Sequence, residues 1–170
     1  IKAGLELLEK KLIARTYGNI SARISETQFV ITPSGRTYDS LKPEDLVIVN
    51  VSDCSYEGNV KPSSEKAIHA GVYLLRSNAN FVIHTHQHYA SAVCAEEKNT
   101  PFAPCAAYAL PGSKALAKNV MTCVGTHSKF NAFLLAKHGT LCFGESYEEA
   151  MNIADQLEVD CRRLFVENRQ

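Results

Sequence analysis

Three of the six histidines in the chain stand at every second position in one segment, FVIHTHQHYA, at residues 81–90. The apolar run at 81–83 predicts a β-strand that leads into them. Because successive side chains of a strand point to opposite faces, we expect His84 and His86 to project from the same side. Two neighbouring imidazoles indicate a metal site, which needs at least one more ligand.

The third ligand is predicted to be His138. It follows the buried-strand pattern Phe-Leu-Leu-Ala at 133–136 and precedes Gly139, so it stands at a strand end beside a tight turn. Three neutral imidazoles from two strand ends would hold a divalent ion, for which Zn²⁺ is the usual choice. Such a site leaves a position for substrate, and an open position is typical of catalysis.

The other histidines are assigned different roles. His69 falls four residues after Glu65 on a predicted helix and is interpreted as a packed or half-exposed helix residue. His88 continues the alternation where the strand ends, and it is interpreted as a spare group or as support for a ligand. His127 lies in a polar loop at 125–129, and we expect it to be solvated.

Composition limits the class of protein. The 170 residues are 45% hydrophobic, which predicts one domain over 1–170 that buries its core without disulfides. Eighteen basic residues balance eighteen acidic ones, so neither nucleic acid nor a membrane surface is expected as a partner. The six cysteines contain no C-x-x-C pair, which is typical of reduced thiols and indicates a cytoplasmic protein. Ile1 opens a pattern typical of a helix interior, so we expect a truncated N-terminus.

Alternating helical and strand patterns position these side chains. Helices are predicted at 5–12, 63–76, 89–95 and 113–124, and a last one begins at a Ser-Tyr-Glu-Glu capping box at 146–149. Strands are predicted at 20–24, 28–32, 46–51, 81–86, 132–137 and 140–143. The stretch 100–111 has no clear pattern. The prediction is an α/β fold, with a central, mainly antiparallel β-sheet flanked by helices on both faces.

Five short motifs stand in an order known from one family. They are Gly18-Asn19-Ile20-Ser21-Ala22-Arg23, Thr32-Pro33-Ser34-Gly35, Pro62-Ser63-Ser64-Glu65, His84-Thr85-His86 and Lys137-His138-Gly139. Together they resemble the class II aldolase and adducin superfamily over nearly the whole chain. Each motif alone is weak, since a pair of serines can be a helix cap and a Pro-Ser-Gly run can be a turn, but five in order are specific.

The resemblance implies a role for each motif. It implies that His84, His86 and His138 bind zinc, and that Glu65 is the acid/base residue. It assigns the substrate phosphate to Gly18, Asn19, Ser34, Gly35, Ser63 and Ser64. The chemistry agrees, because neutral ligands leave the zinc charge free to stabilise the enediolate that forms when a ketose phosphate is cleaved. A carboxylate beside the metal can move the proton.

The activity that the resemblance implies is that of a zinc-dependent aldolase, a class II lyase. It would cleave a ketose 1-phosphate such as L-fuculose 1-phosphate to dihydroxyacetone phosphate and an aldehyde, in a homotetramer with active sites at subunit contacts. Sugar-phosphate 4-epimerases and methylthioribulose-1-phosphate dehydratases of the same fold remain alternatives. The epimerases carry aspartate where this chain has Glu65, which favours the aldolase over the epimerase and leaves the dehydratase open. A non-catalytic adducin-like scaffold would be expected to lose the histidines.

Two family features have no clear counterpart here. The family carries one tyrosine after the H-x-H region, where Tyr108 lies in roughly the right neighbourhood, and another near the C-terminus. The segment 101–111 is shorter than we expect, and the chain ends at Gln170 before a family-like tail. The motifs therefore specify the metal ligands, whereas they leave the exact substrate open.

Overall fold

A seven-stranded mixed β-sheet lies at the centre of residues 1–167, the part of the chain that the computed structural model describes. The strands are β1 (Asn19–Arg23), β2 (Gln28–Ile31), β3 (Val47–Asn50), β4 (Phe81–Thr85), β5 (Cys105–Ala106), β6 (Ala132–Leu135) and β7 (Gly139–Gly144). Their order is β3-β2-β1-β4-β7-β6-β5, and every neighbouring pair is antiparallel except β5 with β6. The predicted mainly antiparallel sheet is confirmed.

Helices cover both faces of this sheet, as predicted. They are α1 (Lys2–Glu9), α2 (Lys66–Leu75), α3 (His88–Cys94), α4 (Lys114–Thr126) and α5 (Tyr147–Glu167). Residues of α2 and α4 share one apolar cluster with the sheet, and residues of α1, α3 and α5 join two others. Val82 belongs to the first cluster and Ile83 to the second, because neighbouring residues of β4 point to opposite faces.

Helix starts differ slightly from the sequence prediction. The helix predicted from Ser63 begins instead at Lys66, because Ser63 accepts a hydrogen bond from the Glu65 backbone through its hydroxyl, in a turn before the helix. At α5, the Ser146 hydroxyl accepts from the Glu149 backbone at 3.2 Å, as a capping box requires. The Glu149 carboxylate accepts from the Glu145 backbone rather than from Ser146.

The stretch 100–111, which had no clear pattern, contains β5. This strand has two residues and pairs in parallel with Leu134 and Leu135 of β6. So short a strand is stabilised by its partner and not by its own sequence, which is why no periodicity marks it. Among residues 1–167, none of the helices combines the length and the apolar character that crossing a bilayer requires.

Candidate metal centre and active site

The imidazoles of His84, His86 and His138 face one another. Their ring centroids are 4.8 Å apart for His84 with either of the other two, and 5.1 Å apart for His86 with His138. One nitrogen from each ring lies within 4.8 Å of the nitrogens from the other two. The structure therefore brings together the three side chains that the sequence predicts as metal ligands.

The approach of β7 to β4 carries His138 to the other two rings. Lys137 adopts a left-handed conformation with φ of 53° in the turn between β6 and β7, and this reverses the chain at His138. Gly139 then packs so closely that a Cβ atom would lie 2.4 Å from the Thr85 carbonyl oxygen. Only glycine allows this contact, so Gly139 places His138 beside the end of β4.

The hydrogen bonds of His84 fix the nitrogen that faces the centre. Its Nδ1 lies 2.7 Å from the Thr140 carbonyl oxygen, and because a carbonyl only accepts, Nδ1 carries the proton. In the neutral ring Nε2 then has a bare lone pair, and it lies 3.0 Å from Nε2 of His86. A cation between the rings would stabilise this arrangement, and a backbone carbonyl behind a ligating histidine is a usual feature of metal sites. The residues present thus fit a divalent metal ion.

The carboxylate of Glu65 lies against the same rings. Its Oε2 is 3.1 Å from Nε2 of His84, and its Oε1 is 3.2 Å from Nε2 of His138. Burial raises the pKa of Glu65, but the imidazoles of His84 and His138 and the amide of Asn19 outweigh burial and lower that pKa below its usual value. A cation held by the imidazoles would act on the carboxylate in the same direction.

The more accessible rings of the cluster are neutral at physiological pH. Burial, followed by the neighbouring His84, lowers the pKa of His86 to about 4. Burial and His84 also lower the pKa of His138. Metal ions bind the neutral imidazole, so these two side chains need not lose a proton before they bind one.

A cavity of about 420 Å³ opens next to the cluster. Glu65, His86 and His138 line it. So do all six residues predicted to bind phosphate, which are Gly18, Asn19, Ser34, Gly35, Ser63 and Ser64. A cavity of about 490 Å³ beside β3 has no histidine or cysteine among the described residues that line it. The smaller cavity is the candidate active site because donors, carboxylate and imidazoles converge there.

Gly18 holds the first motif that is predicted to bind phosphate against β4, the strand of His84. Its φ is +79°, and a Cβ atom there would lie 2.6 Å from the His84 carbonyl oxygen. Asn19, the next residue, pairs directly with His84 in the β1–β4 register. Glycine at position 18 therefore lets the backbone of the cavity wall lie directly against the backbone of His84.

Sequence reasoning missed several residues of the cavity wall. Tyr17 is 54% exposed, and its ring centroid lies 5.6 Å from that of His86. Lys137 pairs with Glu97 at 2.6 Å, and its Nζ lies 5.8 Å from the Tyr108 ring centroid. The only sequence signals are that Tyr17 stands next to a recognised motif and that Lys137 opens one. Thr16, Pro33 and Pro111 also line the cavity.

The remaining histidines lie outside the metal cluster. His88 is exposed at the start of α3. The prediction that His127 is solvated is wrong, because its ring is half-buried and Nδ1 donates to the Cys123 carbonyl at the end of α4. His69 is packed, as expected, but it is fully buried and bonded to polar side chains near Glu65, which the sequence did not indicate.

Comparison with known proteins gives a consistent set of relatives. The family model described as Class II Aldolase and Adducin N-terminal domain matches residues 1–165. An L-fuculose phosphate aldolase of Haemophilus influenzae is 34% identical over 167 residues, covering 91% of this chain and 75% of that protein. A 5-deoxy-D-ribulose 1-phosphate aldolase of Bacillus thuringiensis is 33% identical over 178 residues, covering 98% and 82%.

One further relative is named for a different activity, and one solved structure also matches the chain. A 3-oxo-tetronate 4-phosphate decarboxylase of Escherichia coli is 29% identical over 165 residues, covering 88% of this chain and 76% of that protein. A solved L-fuculose 1-phosphate aldolase superposes with a TM-score of 0.87 at 29% identity, covering 99% of this chain and 83% of that chain.

Proposed function

Because this chain belongs to the class II aldolase and adducin N-terminal domain family, we propose that it is a zinc-dependent aldolase. Its substrate is a ketose 1-phosphate such as L-fuculose 1-phosphate, and its products are dihydroxyacetone phosphate and an aldehyde. One observation carries the proposal: three imidazoles meet at the Glu65 carboxylate, which lines a cavity together with His86, His138 and a set of hydroxyl and glycine donors.

His84, His86 and His138 are the residues that would hold the metal. A bound divalent ion supplies a Lewis acid that polarises the substrate carbonyl and stabilises negative charge as the carbon–carbon bond breaks. Three neutral nitrogen ligands favour zinc over the hard cations, which prefer oxygen. The imidazoles add no negative charge, so the full charge of the ion remains available for the substrate.

Glu65 is the proposed acid/base residue. Its carboxylate lies beside the proposed ligands and lines the cavity, so it can exchange a proton with the reacting carbon of a sugar bound there. The Asn19 amide donates to Oε2 at 2.9 Å and fixes the orientation of the carboxylate. Proton transfer by a positioned carboxylate contributes about 10² to 10⁴ in rate.

Neutral donors form the proposed phosphate site. Ser34, Gly35 and Ser64 are exposed and line the cavity, and Gly18 and Gly35 in its wall hold positive φ values. Ser63 and Ser64 also stand at the N-terminal end of α2, where the helix dipole favours an anion. A substrate phosphate can therefore bind without a large net positive charge on the chain.

We extend the proposal to a homotetramer in the cytoplasm, with active sites at subunit contacts. Tyr108 and Leu110 are 46% and 68% exposed and lie within three residues of Pro111 of the cavity wall, where a neighbouring subunit could cover them. All six cysteines are free thiols, which agrees with a reducing compartment. Light scattering of the purified protein tests the assembly, and a monomer at micromolar concentration would contradict it.

Decarboxylation is the second candidate reaction. The similarity to a 3-oxo-tetronate 4-phosphate decarboxylase favours it, at 29% identity over 165 residues. The same residues would serve, because loss of carbon dioxide also leaves negative charge beside a carbonyl that a metal can stabilise. Only the group that leaves differs, so a direct comparison of substrates must separate the two reactions.

The test is a substrate panel with the zinc-loaded protein. Fuculose 1-phosphate is assayed for dihydroxyacetone phosphate, and 3-oxo-tetronate 4-phosphate for carbon dioxide. Ribulose 5-phosphate and methylthioribulose 1-phosphate test epimerisation and dehydration. We expect the highest kcat/KM for a ketose 1-phosphate, with activity lost on chelation and restored by zinc. A higher kcat/KM for carbon dioxide release, epimerisation or dehydration would replace the aldolase assignment.

A further inference from the structure

A chain of buried hydrogen bonds runs from the Glu65 carboxylate into the interior. Asn19 Nδ2 donates to Oε2 of Glu65 at 2.9 Å, and Asn19 Oδ1 lies 2.5 Å from Nε2 of His69. His69 Nδ1 lies 2.7 Å from the Ser21 hydroxyl, which lies 2.7 Å from the Tyr73 hydroxyl. All five residues are buried, and His69 is 0% exposed. The chain thus links the proposed acid/base residue to side chains that never reach the cavity.

Two regular spacings assemble this chain. Glu65, His69 and Tyr73 recur every four residues, from the N-cap of α2 along the helix. They therefore lie on one face of α2. Asn19 and Ser21 are two apart on β1 and therefore point to the same face of the sheet. Packing of that helix face on that strand brings the side chains together in alternation.

The donors and acceptors allow one direction along the chain. If the Asn19 amide turned over, its carbonyl oxygen would face the Glu65 carboxylate, and two acceptors would lie together. With the amide N–H toward Glu65, Asn19 Oδ1 must accept from Nε2–H of His69.

Donors and acceptors also determine the hydrogen bonds at the far end of the chain. Nδ1 of His69 has no proton in this tautomer, so it accepts from the Ser21 hydroxyl. The Ser21 oxygen then accepts from the Tyr73 O–H. Burial lowers the pKa of His69 to about 3, so the ring is neutral and carries a single proton at physiological pH.

We propose that His69 is a positioning residue for the reaction, acting on Glu65 through Asn19. Its Nε2–H tautomer, selected by Ser21 and Tyr73, holds the Asn19 amide with the N–H toward the carboxylate. Without the Nε2–H donor of His69, the Asn19 amide can rotate by half a turn and present its carbonyl to Glu65. This displaces the carboxylate from the reacting centre. This inference rests on the proposed function of Glu65.

Two amide substitutions separate positioning from packing. The amide nitrogen of His69→Gln can replace Nε2 and donate to Asn19, whereas the shorter side chain of His69→Asn replaces only Nδ1. We expect His69→Asn to lower kcat by about 10-fold to 100-fold with little change in KM, as for a misplaced catalytic group. His69→Gln should keep most of the wild-type kcat. A residue that only fills space would give equal kcat values in the two variants.

The tautomer is measured directly in the wild-type protein, without any assay of activity. Long-range ¹H–¹⁵N spectra of the histidine rings distinguish Nε2–H from Nδ1–H. We expect His69 to carry its proton on Nε2, and Ser21→Ala to populate the other tautomer. This readout decides the matter if both substitutions at position 69 prevent folding. It also separates failure of this inference from failure of the aldolase assignment, because the tautomer can be as stated even if none of the sugar phosphates in the panel is a substrate.

The matched control is the pair His127→Asn and His127→Gln. His127 is a half-buried histidine that donates to a backbone carbonyl at the end of α4 and does not line the active-site cavity. Both control variants should retain wild-type kcat and KM. A proton on Nδ1 of His69, a doubly protonated ring, or equal kcat values for folded His69→Asn and His69→Gln would overturn the proposal.

Discussion

Oε2 of Glu65 lies 3.1 Å from Nε2 of His84, while the Nδ1–H of the same ring donates to the Thr140 carbonyl. In the neutral histidine both facing atoms are acceptors, so no hydrogen bond joins them. A cation next to both would bind the imidazole and attract the carboxylate. The proposed metal ligand and the proposed acid/base residue therefore form one electrostatic unit.

Replacement of Glu65 by glutamine should separate catalysis from metal binding. The amide cannot accept a proton from the substrate, so we expect kcat to fall by about 10² to 10⁴. The zinc content per chain should remain that of the wild type, because the three imidazoles are intact. Exposed Glu96→Gln is the matched control and should leave kcat unchanged. A wild-type kcat in Glu65→Gln would show that Glu65 is not the acid/base residue.

A negative charge at Ser64 should weaken binding of the sugar phosphate. Ser64 is exposed in the cavity, so the carboxylate of Ser64→Asp would face the phosphate, with a repulsion of about 1 kcal/mol or more at 4 Å. We expect KM, and the inhibition constant of inorganic phosphate, to rise by about fivefold or more. Thermal stability should not fall, because an acidic side chain is favourable at the start of α2.

The control for Ser64→Asp adds the same charge elsewhere. Ser52 is exposed in the turn after β3 and does not line the active-site cavity. Ser52→Asp should change neither KM nor the inhibition constant of phosphate. Equal KM values for the two variants would show that the phosphate binds at another place.

Gly139→Ala should weaken the proposed metal site without replacing a proposed ligand. The new Cβ would lie 2.4 Å from the Thr85 carbonyl and 3.2 Å from Cε1 of His84, so β7 must move away from β4. We expect metal affinity to fall by about 10-fold to 100-fold, as when a ligand loses its support. Gly125→Ala is the control, because nothing lies within 4 Å of that position. Wild-type zinc affinity in folded Gly139→Ala would contradict this account of the turn.

The buried His69 should make the metal-free protein less stable in acid. Its pKa is lowered from the usual 6.5 to about 3, so below pH 6.5 the unfolded chain binds a proton that the native ring does not. The free energy of unfolding therefore falls as pH falls toward 3, by up to about 1.4 kcal/mol per pH unit from this residue. Above pH 6.5 the residue adds no pH dependence.

Urea unfolding at a series of pH values, with a chelator present, measures this effect. His69→Gln has no titrating ring, so its free energy of unfolding should fall less steeply than that of the wild type from about pH 6 to pH 4. His86 and His138 remain in both proteins and cancel in the comparison. Parallel curves over this range would mean that His69 titrates normally in the native state.

The sequence alone predicted the sheet and the parts of the site that short-range patterns determine. The alternation of His84 and His86 follows from the period of a strand, and the Lys-His-Gly turn follows from a strand end. The helix period of Glu65, His69 and Tyr73 is also visible in the sequence. Which strand that helix face meets is decided by packing over long distances, so the contact between His69 and Asn19 was not predictable.

Other features depend on partners that no local pattern reveals. The two-residue strand β5 exists because β6 pairs with it. The ring of Tyr17 lies near that of His86 because α1 and the turn after it bring the two residues together. The half-buried state of His127 depends on the carbonyl of Cys123 at the end of α4. The polar residues around His127 predicted a solvated side chain, but a carbonyl at the end of α4 accepts its hydrogen bond.

The metal content of the purified protein tests the central claim most directly. Elemental mass spectrometry of the wild-type chain, after dialysis against limiting zinc, should find about one ion per chain, as a site with three protein ligands requires. His84→Ala, His86→Ala and His138→Ala should each bind markedly less, whereas His88→Ala, which removes an exposed histidine outside the cluster, should bind as much as the wild type. A wild-type chain without bound metal, or equal zinc content in all four variants, would contradict the account.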